Sequence, residues 1–565
     1  MVNRCKSLSQ PLTKENSYTN NHVSKPAFYS LAILTFITFI GNFTQLQLSA
    51  ALPTIVQDFG ISITTGQWVT SIFQLVMGIM VPLTAFLTRR FTTRQIIITS
   101  MIIFTLGSVF AWLGTNFTFL LLGRLLEAIG TGVMWPVLQI TVFWIFPMAR
   151  RGMAMGTVGM AMSVAPAIGP TIGGWQTDAN GWRSIFLTLS VLGLFSILLA
   201  TFNLHNFGKQ DTTIRADLFS AVLSVLGFGG LMLAFSNLET YQLTHPMIWV
   251  PLIVGIISII WFVLRQNKRT REFEETRSQY LEEKAKQEQA YEHSKTPFKY
   301  QENKKLNQFK NTNKAPLLNL SVLKNKQFAI GTICASLNFF AFSSIMIILP
   351  LYIQNDRGFS STMSGLIILP GALGQCLAQF VGGKMLDRFG ARPVALIGSI
   401  TLTFGTIMMS TINLHTWIWW ISIWQFTRQI GVGFVLMPIT TWSLNCLSAR
   451  EVSAGSAVTN TARQIAGAMG APIMVLIMQG FAAAKHASLG NTANTAIPAH
   501  IYGVQTALHI STIICLIMVL LIFFGVRGKN SGSARETAHE ALLYFHNNHP
   551  HLPHLSSNLS LTRKR

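Results

Sequence analysis

Glu127 stands apart from the other 19 acidic residues because it is the one set deep within an apolar segment, and Arg124 precedes it by three positions. On a helix, that spacing puts both side chains on one face. A charge at the centre of a bilayer costs about 2.5–3.5 kcal/mol on insertion scales, so an intramembrane carboxylate needs a reason to be there. Two readings fit. Glu127 could take up and release a proton while Arg124 neutralises its ionised form, or the pair could be a fixed ion pair that holds its helix in register. A second group of residues reads as machinery for motion. Residues 165–174, APAIGPTIGG, carry Pro166, Gly169, Pro170, Gly173 and Gly174 inside an apolar run, with Gly159 about two turns before Pro166. Small residues let membrane helices touch backbone to backbone, and a proline loosens a turn, so this stretch reads equally as a moving joint or as an ordinary kinked helix.

Uncharged polar and aromatic side chains inside apolar segments could line a path for a small molecule: Gln45, Gln47, Gln74, Trp135, Gln139, Asn338 and Gln375. Each of them would serve equally as an interhelical hydrogen bond. The 39 Phe and 22 Met suit an adaptable greasy pocket, although lipid-facing surfaces use the same residues.

The elements that must position these groups are membrane spans. Half of the chain is hydrophobic and only 11% is charged, against about 25% charged in a soluble domain. Apolar runs near the length of about 20 residues needed to cross a bilayer occur at 28–52, 67–87, 95–113, 117–139, 153–174, 184–204, 218–238, 247–264, 328–352, 363–380, 394–412, 417–439, 454–477 and 504–526. Fourteen spans put both termini on one side. With the N-terminus cytoplasmic, only Arg183, Arg357 and Lys485 of the 42 basic residues fall outside and only Arg124, Arg428 and Arg463 fall within spans, which is the positive-inside pattern. The net charge of +22 then reflects this asymmetry and contact with anionic inner-leaflet lipid, with no call for nucleic acid. Residues 1–26 are polar and the first apolar run is too long for a signal-peptide core. Cys5, Cys334, Cys376, Cys446 and Cys515 form no CxxC pattern, so neither a disulfide framework nor a zinc site is expected. His546, His549, His551 and His554 read as part of a solvated tail and not as a metal site.

Residues 266–326 divide eight spans from six. From Arg269 to Glu292 both signs of charge mix at helical spacing without an apolar face, and beyond Pro297 the segment is rich in Asn, Lys and Gln, a composition of disorder. An internal repeat supports a design in two halves: FLTRRFTTR at 86–94 and KMLDRFGAR at 384–392 align at an offset of 298 residues.

The second copy, with Gly383, Asp387, Arg388, Gly390 and Arg392, resembles the loop motif of the major facilitator superfamily, in which a carboxylate and arginines latch helix ends together. The first copy departs from it, with Arg89 in place of the aspartate and Thr92 in place of the glycine. Gly159, Pro166, Gly169, Pro170, Gly173 and Gly174 resemble the antiporter motif of drug exporters in that superfamily. Arg124, Glu127, Gly130, Gly132 and Pro136 are similar to its fourth-helix motif, whose arginine is associated with proton transfer. LPLYIQ at 349–354, LPG at 369–371 and NTARQ at 460–464 look like signatures of its fourteen-span drug:H+ antiporters. Two residues common in that family's first helix are replaced by Thr44 and Ser49, and the place of Glu127 is usually a glutamine.

The resemblance implies an all-α polytopic membrane protein of the major facilitator fold: tail 1–26, six-helix bundle 27–205, two extra central spans 206–265, linker 266–326, six-helix bundle 327–526 and tail 527–565. It implies a monomeric, proton-driven exporter of lipophilic or cationic small molecules across the plasma membrane, with the proton gradient in place of a cofactor. No Walker A loop occurs, which argues against ATP as the drive. Export of a lipid or metabolite, import of a solute, and a non-transporting sensor or scaffold working through the linker are the alternatives.

Overall fold

The computed structural model describes residues 17–19, 22–48, 51–207, 217–238, 241, 243–294, 316–448, 451–490 and 492–527. Cys5, Ser49, linker residues 295–315 and the tail with its four histidines lie outside the described residues. Apolar runs without water to satisfy their backbones must close their hydrogen bonds within themselves, which favours helices. The described residues are accordingly helical, apart from one antiparallel pair, β1 (Tyr18–Thr19) and β2 (His22–Val23).

The amino-terminal bundle comprises α1 (Lys25–Gln47), the short α2 (Leu52–Phe59) and α3 (Ile63–Gly66), α4 (Trp68–Arg90), α5 (Thr93–Leu113), α6 (Phe117–Thr131), α7 (Met134–Ile145), α8 (Arg151–Asn180) and α9 (Arg183–Asn203). Then come α10 (Leu218–Asn237) and α11 (Pro246–Ser294). The carboxyl-terminal bundle comprises α12 (Lys326–Leu351), α13 (Ser361–Phe389), α14 (Ala391–Ser410), α15 (Ile418–Asn445), α16 (Val452–Ser488) and α17 (Ala493–Gly525). α6 and α7 form one span, interrupted at Gly132, where a Cβ would meet Met80 Cβ at 2.6 Å. Among the described residues, thirteen segments are long and apolar enough to cross a membrane. α15 is not among them, since Gln425, Arg428 and Gln429 sit along it. All three are buried against neighbouring helices, so α15 packs within its bundle between α13 and α14 as the fourteenth long segment.

The bundles meet along two edges: α8 lies against α13 and α15, and α16 lies against α4 and α7. The extra pair joins the second edge, where α10 packs on both α4 and α16. One end of the molecule, here called the basic end, carries Arg89, Arg90, Arg94, Arg150, Arg388 and Arg392.

The boundary placed at 265 between spans and linker is crossed by one continuous helix, α11, of 49 residues. Its part at the basic end is anchored at residues 265–269. Asp217 pairs with Arg265 at 3.2 Å and Arg269 at 3.0 Å, and Gln266 accepts a hydrogen bond from the Leu318 amide at 3.2 Å. Burial pushes the Asp217 carboxyl upward, but hydrogen bonds from Arg265 and Ser220 and the charge of Arg269 outweigh it and hold the group below its ordinary value.

Candidate functional site

The acidic site is built by glycine. A Cβ on Gly107 of α5 would lie 2.6 Å from Gly123 O and 2.7 Å from Glu127 N, so α5 and α6 touch backbone to backbone. That approach delivers Ser108 of α5, which donates to Glu127 Oε1 at 2.6 Å. Arg124 Nη1 donates to Glu127 Oε2 at 2.7 Å, and neither residue has any exposed surface. Arg124 is itself held by Val69 O at 3.2 Å and by the Phe73 ring 4.3 Å from its guanidinium carbon. One nitrogen, Nη2, is enclosed without a partner. The pair therefore lies inside the amino-terminal bundle, among α4, α5 and α6, and away from the seam.

The opposite bundle repeats this site with its charge inverted. Ser108 and Thr406 are 298 residues apart, the offset of the loop repeat, and Glu127 and Arg428 are 301 apart, three residues beyond it. Arg428 Nε donates to Thr406 Oγ1 at 3.2 Å and Nη2 to Ala341 O at 2.5 Å. A Cβ on Gly405 would meet Arg428 N at 2.9 Å, as one on Gly107 would meet Glu127 N. At the offset of the loop repeat Glu127 aligns with Gln425, so the correspondence with Arg428 is marked only by the packing of Gly405 against it.

Along the first edge, Gly152, Gly156 and Gly159 of α8 face α13 and α15. A Cβ on Gly156 would fall 2.6 Å from Gln379 O and 3.0 Å from Gly383 Cα, one on Gly159 would fall 2.5 Å from Gln379 Oε1, and one on Gly383 would strike Gly152 O. Asp387 crosses the seam and accepts from the amides of Gly152 at 2.9 Å and Met153 at 2.7 Å. It thus caps the positive end of α8. Of the neighbouring arginines expected to share the latch charge, Arg388 lies over Phe389 and Arg392 over Phe523. The α8 amides have no intrahelical acceptor, so the carboxylate satisfies them.

The diverged loop uses neutral chemistry on the second edge. Thr88 and Ser453 hydroxyls meet at 2.7 Å, while Arg89 lies over Phe273 of α11. Gly390 takes φ +87, whereas Thr92 stays at φ −71 and caps α5 by accepting from Gln95 N. Nearer the middle of the seam, Trp135 Nε1 donates to Asn460 Oδ1 at 3.0 Å, and Asn460 Nδ2 and Ser456 Oγ donate to Gln139 Oε1 at 2.8 and 2.5 Å. Arg151 adds a further crossing, to Asn445 Oδ1 at 3.0 Å. Spacing had given no signal for Arg151, Asn445 or Ser456, because only a partner on another helix marks them out.

At the opposite end, the polar bonds remain within one bundle. Gln47 donates to Gln176, Asp58 accepts from Trp182 at 3.0 Å and Arg183 at 2.9 Å, and Asp356 meets His500 at 2.7 Å. Hydrogen bonds from Trp182 and then Arg183 hold the Asp58 carboxyl below its ordinary range. The hydrogen bonds described between the bundles thus gather toward the basic end, which is shut.

Of the residues singled out from the sequence, Trp135, Gln139, Gly159, Gly383 and Asp387 come together on the seam. Gly173 does not: a Cβ there would strike the Gln47 carbonyl, so it seats α8 on α1 within a bundle. α8 continues as a helix through Pro166, Gly169, Pro170 and Gly174, where a kink or joint was one expectation. Asn338 donates to Val432 O at 3.4 Å inside the carboxyl-terminal bundle, Gln375 is buried, Gln45 is half-buried and Gln74 is exposed. Thr44, at the place of the missing aspartate, is buried and donates back to Ile40 O at 2.8 Å.

The family profile described as Major Facilitator Superfamily matches residues 31–215 and 216–471. The chain belongs to the Major Facilitator Superfamily. As a member of that superfamily it is a multi-pass membrane transporter and not an enzyme. It is 31% identical over 498 residues to the lincomycin resistance protein LmrB of Bacillus subtilis, covering 87% of this chain and 94% of that one. It is 23% identical over 477 residues to the multidrug export protein EmrB of Escherichia coli, covering 82% and 83%. These relatives are consistent with the drug:H+ antiporter family that the motifs resemble. The fold is shared with the human organic anion transporter MFSD10 at a TM-score of 0.59 and 12% identity, over 88% of this chain and all of that one.

Proposed function

We propose that this superfamily member is a proton-driven exporter of amphiphilic drug-like molecules, working by alternating access between its two bundles in the cell membrane, with both termini in the cytoplasm. The observation that carries this reading is the seam at the basic end. Glycine-on-glycine contact and the Asp387 cap make a joint in which backbone contacts and hydrogen bonds cross the seam beside an apolar cluster that Met155, Val158, Leu436 and Met437 share between the bundles. A scaffold has no use for such a joint, whereas alternating access requires one. The distribution of basic residues supports the cytoplasmic placement of this end, and the drug-resistance names of the relatives support the substrate class.

Glu127 supports proton coupling because it is an acid enclosed in the membrane whose one charged partner is three residues away. When the Arg124 contact opens, the carboxyl is left in an apolar site and takes up a proton; when the contact closes, it gives the proton up. The experiment is efflux of ethidium from cells making the protein, with and without a protonophore. Efflux that the protonophore abolishes supports the reading, and efflux indifferent to it refutes proton drive.

A further inference from the structure

Three arginines lie within spans, and two of them are committed. Arg124 is paired with Glu127, and Arg428 is fully enclosed and bound to Thr406 and Ala341, with its Nη1 left without a partner. Arg463 differs. It stands 11 residues into α16, about 16 Å from the basic end, near the middle of a bilayer core. It keeps some exposed surface. Its one described hydrogen bond is to Asn460 Oδ1 at 3.3 Å, an acceptor already engaged by the Trp135 indole at 3.0 Å. Its Nε is enclosed without a partner, and no carboxylate forms an ion pair with it among the described residues. The Phe339 ring lies 5.0 Å from its guanidinium carbon, and Gly467 seats that ring, since a Cβ there would be 2.6 Å from it.

A second donor in the same network is also idle. Gln139 is fully buried and accepts from Ser456 and Asn460, but its Nε2 has no partner. Asn460 is thus flanked by two side chains with unused N–H groups, one of them cationic, beside the aromatic rings of Trp135 and Phe339. Enclosed donors without acceptors are costly, and an unneutralised guanidinium more so. The remedy is an anion with lone pairs to share, of the planar shape that a guanidinium fork accepts.

We propose that the mid-seam group of Arg463, Gln139 and Trp135 is a recognition site for an organic carboxylate attached to an aromatic body, with Arg463 as the charge partner. The site deepens the exporter reading by giving its substrate an anionic group, which the expectation of lipophilic or cationic small molecules did not include. Only the word substrate rests on that reading, because recognition can be measured without any gradient.

The test uses two rhodamines that differ at one group: rhodamine 110, with a free carboxylate, and rhodamine 123, its methyl ester. Binding to the purified full chain in phosphatidylcholine nanodiscs is read by fluorescence anisotropy. Wild type is expected to bind rhodamine 110 at least about tenfold tighter than rhodamine 123, since each 1.4 kcal/mol is a factor of ten and a charge-assisted bond is worth that much. Arg463→Gln is expected to remove the preference with little change for the ester, and Arg463→Lys to retain part of it. Absence of a carboxylate preference in wild type, or an equal loss of both dyes in Arg463→Gln with thermal stability unchanged, would overturn the proposal. Failure of proton-driven efflux with the carboxylate preference intact would count against the transport reading alone.

Discussion

Replacing Asp387 by asparagine keeps the shape of the side chain and removes its charge, so it isolates the cap across the seam. The carboxylate accepts from Gly152 N at 2.9 Å and Met153 N at 2.7 Å. Hydrogen bonds to a charged group contribute about 1.5–3 kcal/mol each, and the favourable contact with the helix terminus adds about 0.3–1 kcal/mol. Asparagine retains one acceptor oxygen and turns an amide against the second N–H, so the closed state loses about 2–3 kcal/mol. At 1.4 kcal/mol per factor of ten, the balance shifts roughly 30- to 150-fold toward the state open at the basic end. A state populated at about 1% would rise to between about a fifth and three-fifths. Spin labels at exposed Ala149 and Pro393, one on each bundle, read this as a new long-distance population in pulsed EPR. Arg89→Gln is the control, because its loop holds the second edge through Thr88 and Ser453. An unchanged distance distribution in Asp387→Asn, or equal opening in both variants, would refute the assignment of the latch to this side chain.

Glu127→Gln leaves Arg124 buried without its counter-charge, so the thermal stability of the inserted protein should fall by an amount on the order of 3–5 kcal/mol, and proton-driven transport should stop. The double variant Arg124→Gln/Glu127→Gln should recover much of the stability in a detergent melt but not the transport; recovery of both would show that the pair is structural. Gly156→Leu should hold the basic end apart while leaving each bundle folded, because its Cβ meets α13 of the other bundle, whereas Gly173→Leu meets Gln47 of its own bundle and should lower stability by about 1–3 kcal/mol or more. Normal closure in Gly156→Leu by the same EPR distance would contradict this division. At the opposite end, the Asp58 carboxyl is held below its ordinary value, so the melting advantage of wild type over Asp58→Asn should be full above the unfolded carboxylate value of about pH 4 and fade as pH falls through the lower folded value. A constant advantage at all acidic pH values would mean that the Trp182 and Arg183 contacts do not depend on charge.

The sequence made the spans legible because a bilayer enforces length and apolarity segment by segment, and α15 at 418–445 was legible as the apolar run 417–439 despite its polar residues. Its buried Gln425, Arg428 and Gln429 lower its apolarity without moving it out of the bundle. The Arg124–Glu127 pair was legible because three residues on one helix decide it. Ser108, the third member, was not, because the Gly107–Gly123 contact that delivers it joins two helices. The same holds for Asp387. Its motif was visible, but its partners are amides of α8, more than 200 residues away, and local charge pointed to Arg388 and Arg392 instead. The glycine-proline stretch of α8 reads as a moving joint or a kinked helix, whereas packing divides the glycines of this helix, with Gly152, Gly156 and Gly159 serving the seam and Gly173 serving the bundle.

The central claim is that movement of protons and of substrate is obligatorily linked through this chain. Inside-out membrane vesicles carrying the protein, acidified internally by respiration, report proton flux through acridine orange quenching. Addition of ethidium or rhodamine 110 should cause dequenching as protons leave in exchange for substrate, and the Arg124→Gln/Glu127→Gln vesicles should show none. Substrate accumulation that proceeds with no change in quenching, or persists after the gradient is collapsed, would contradict the account.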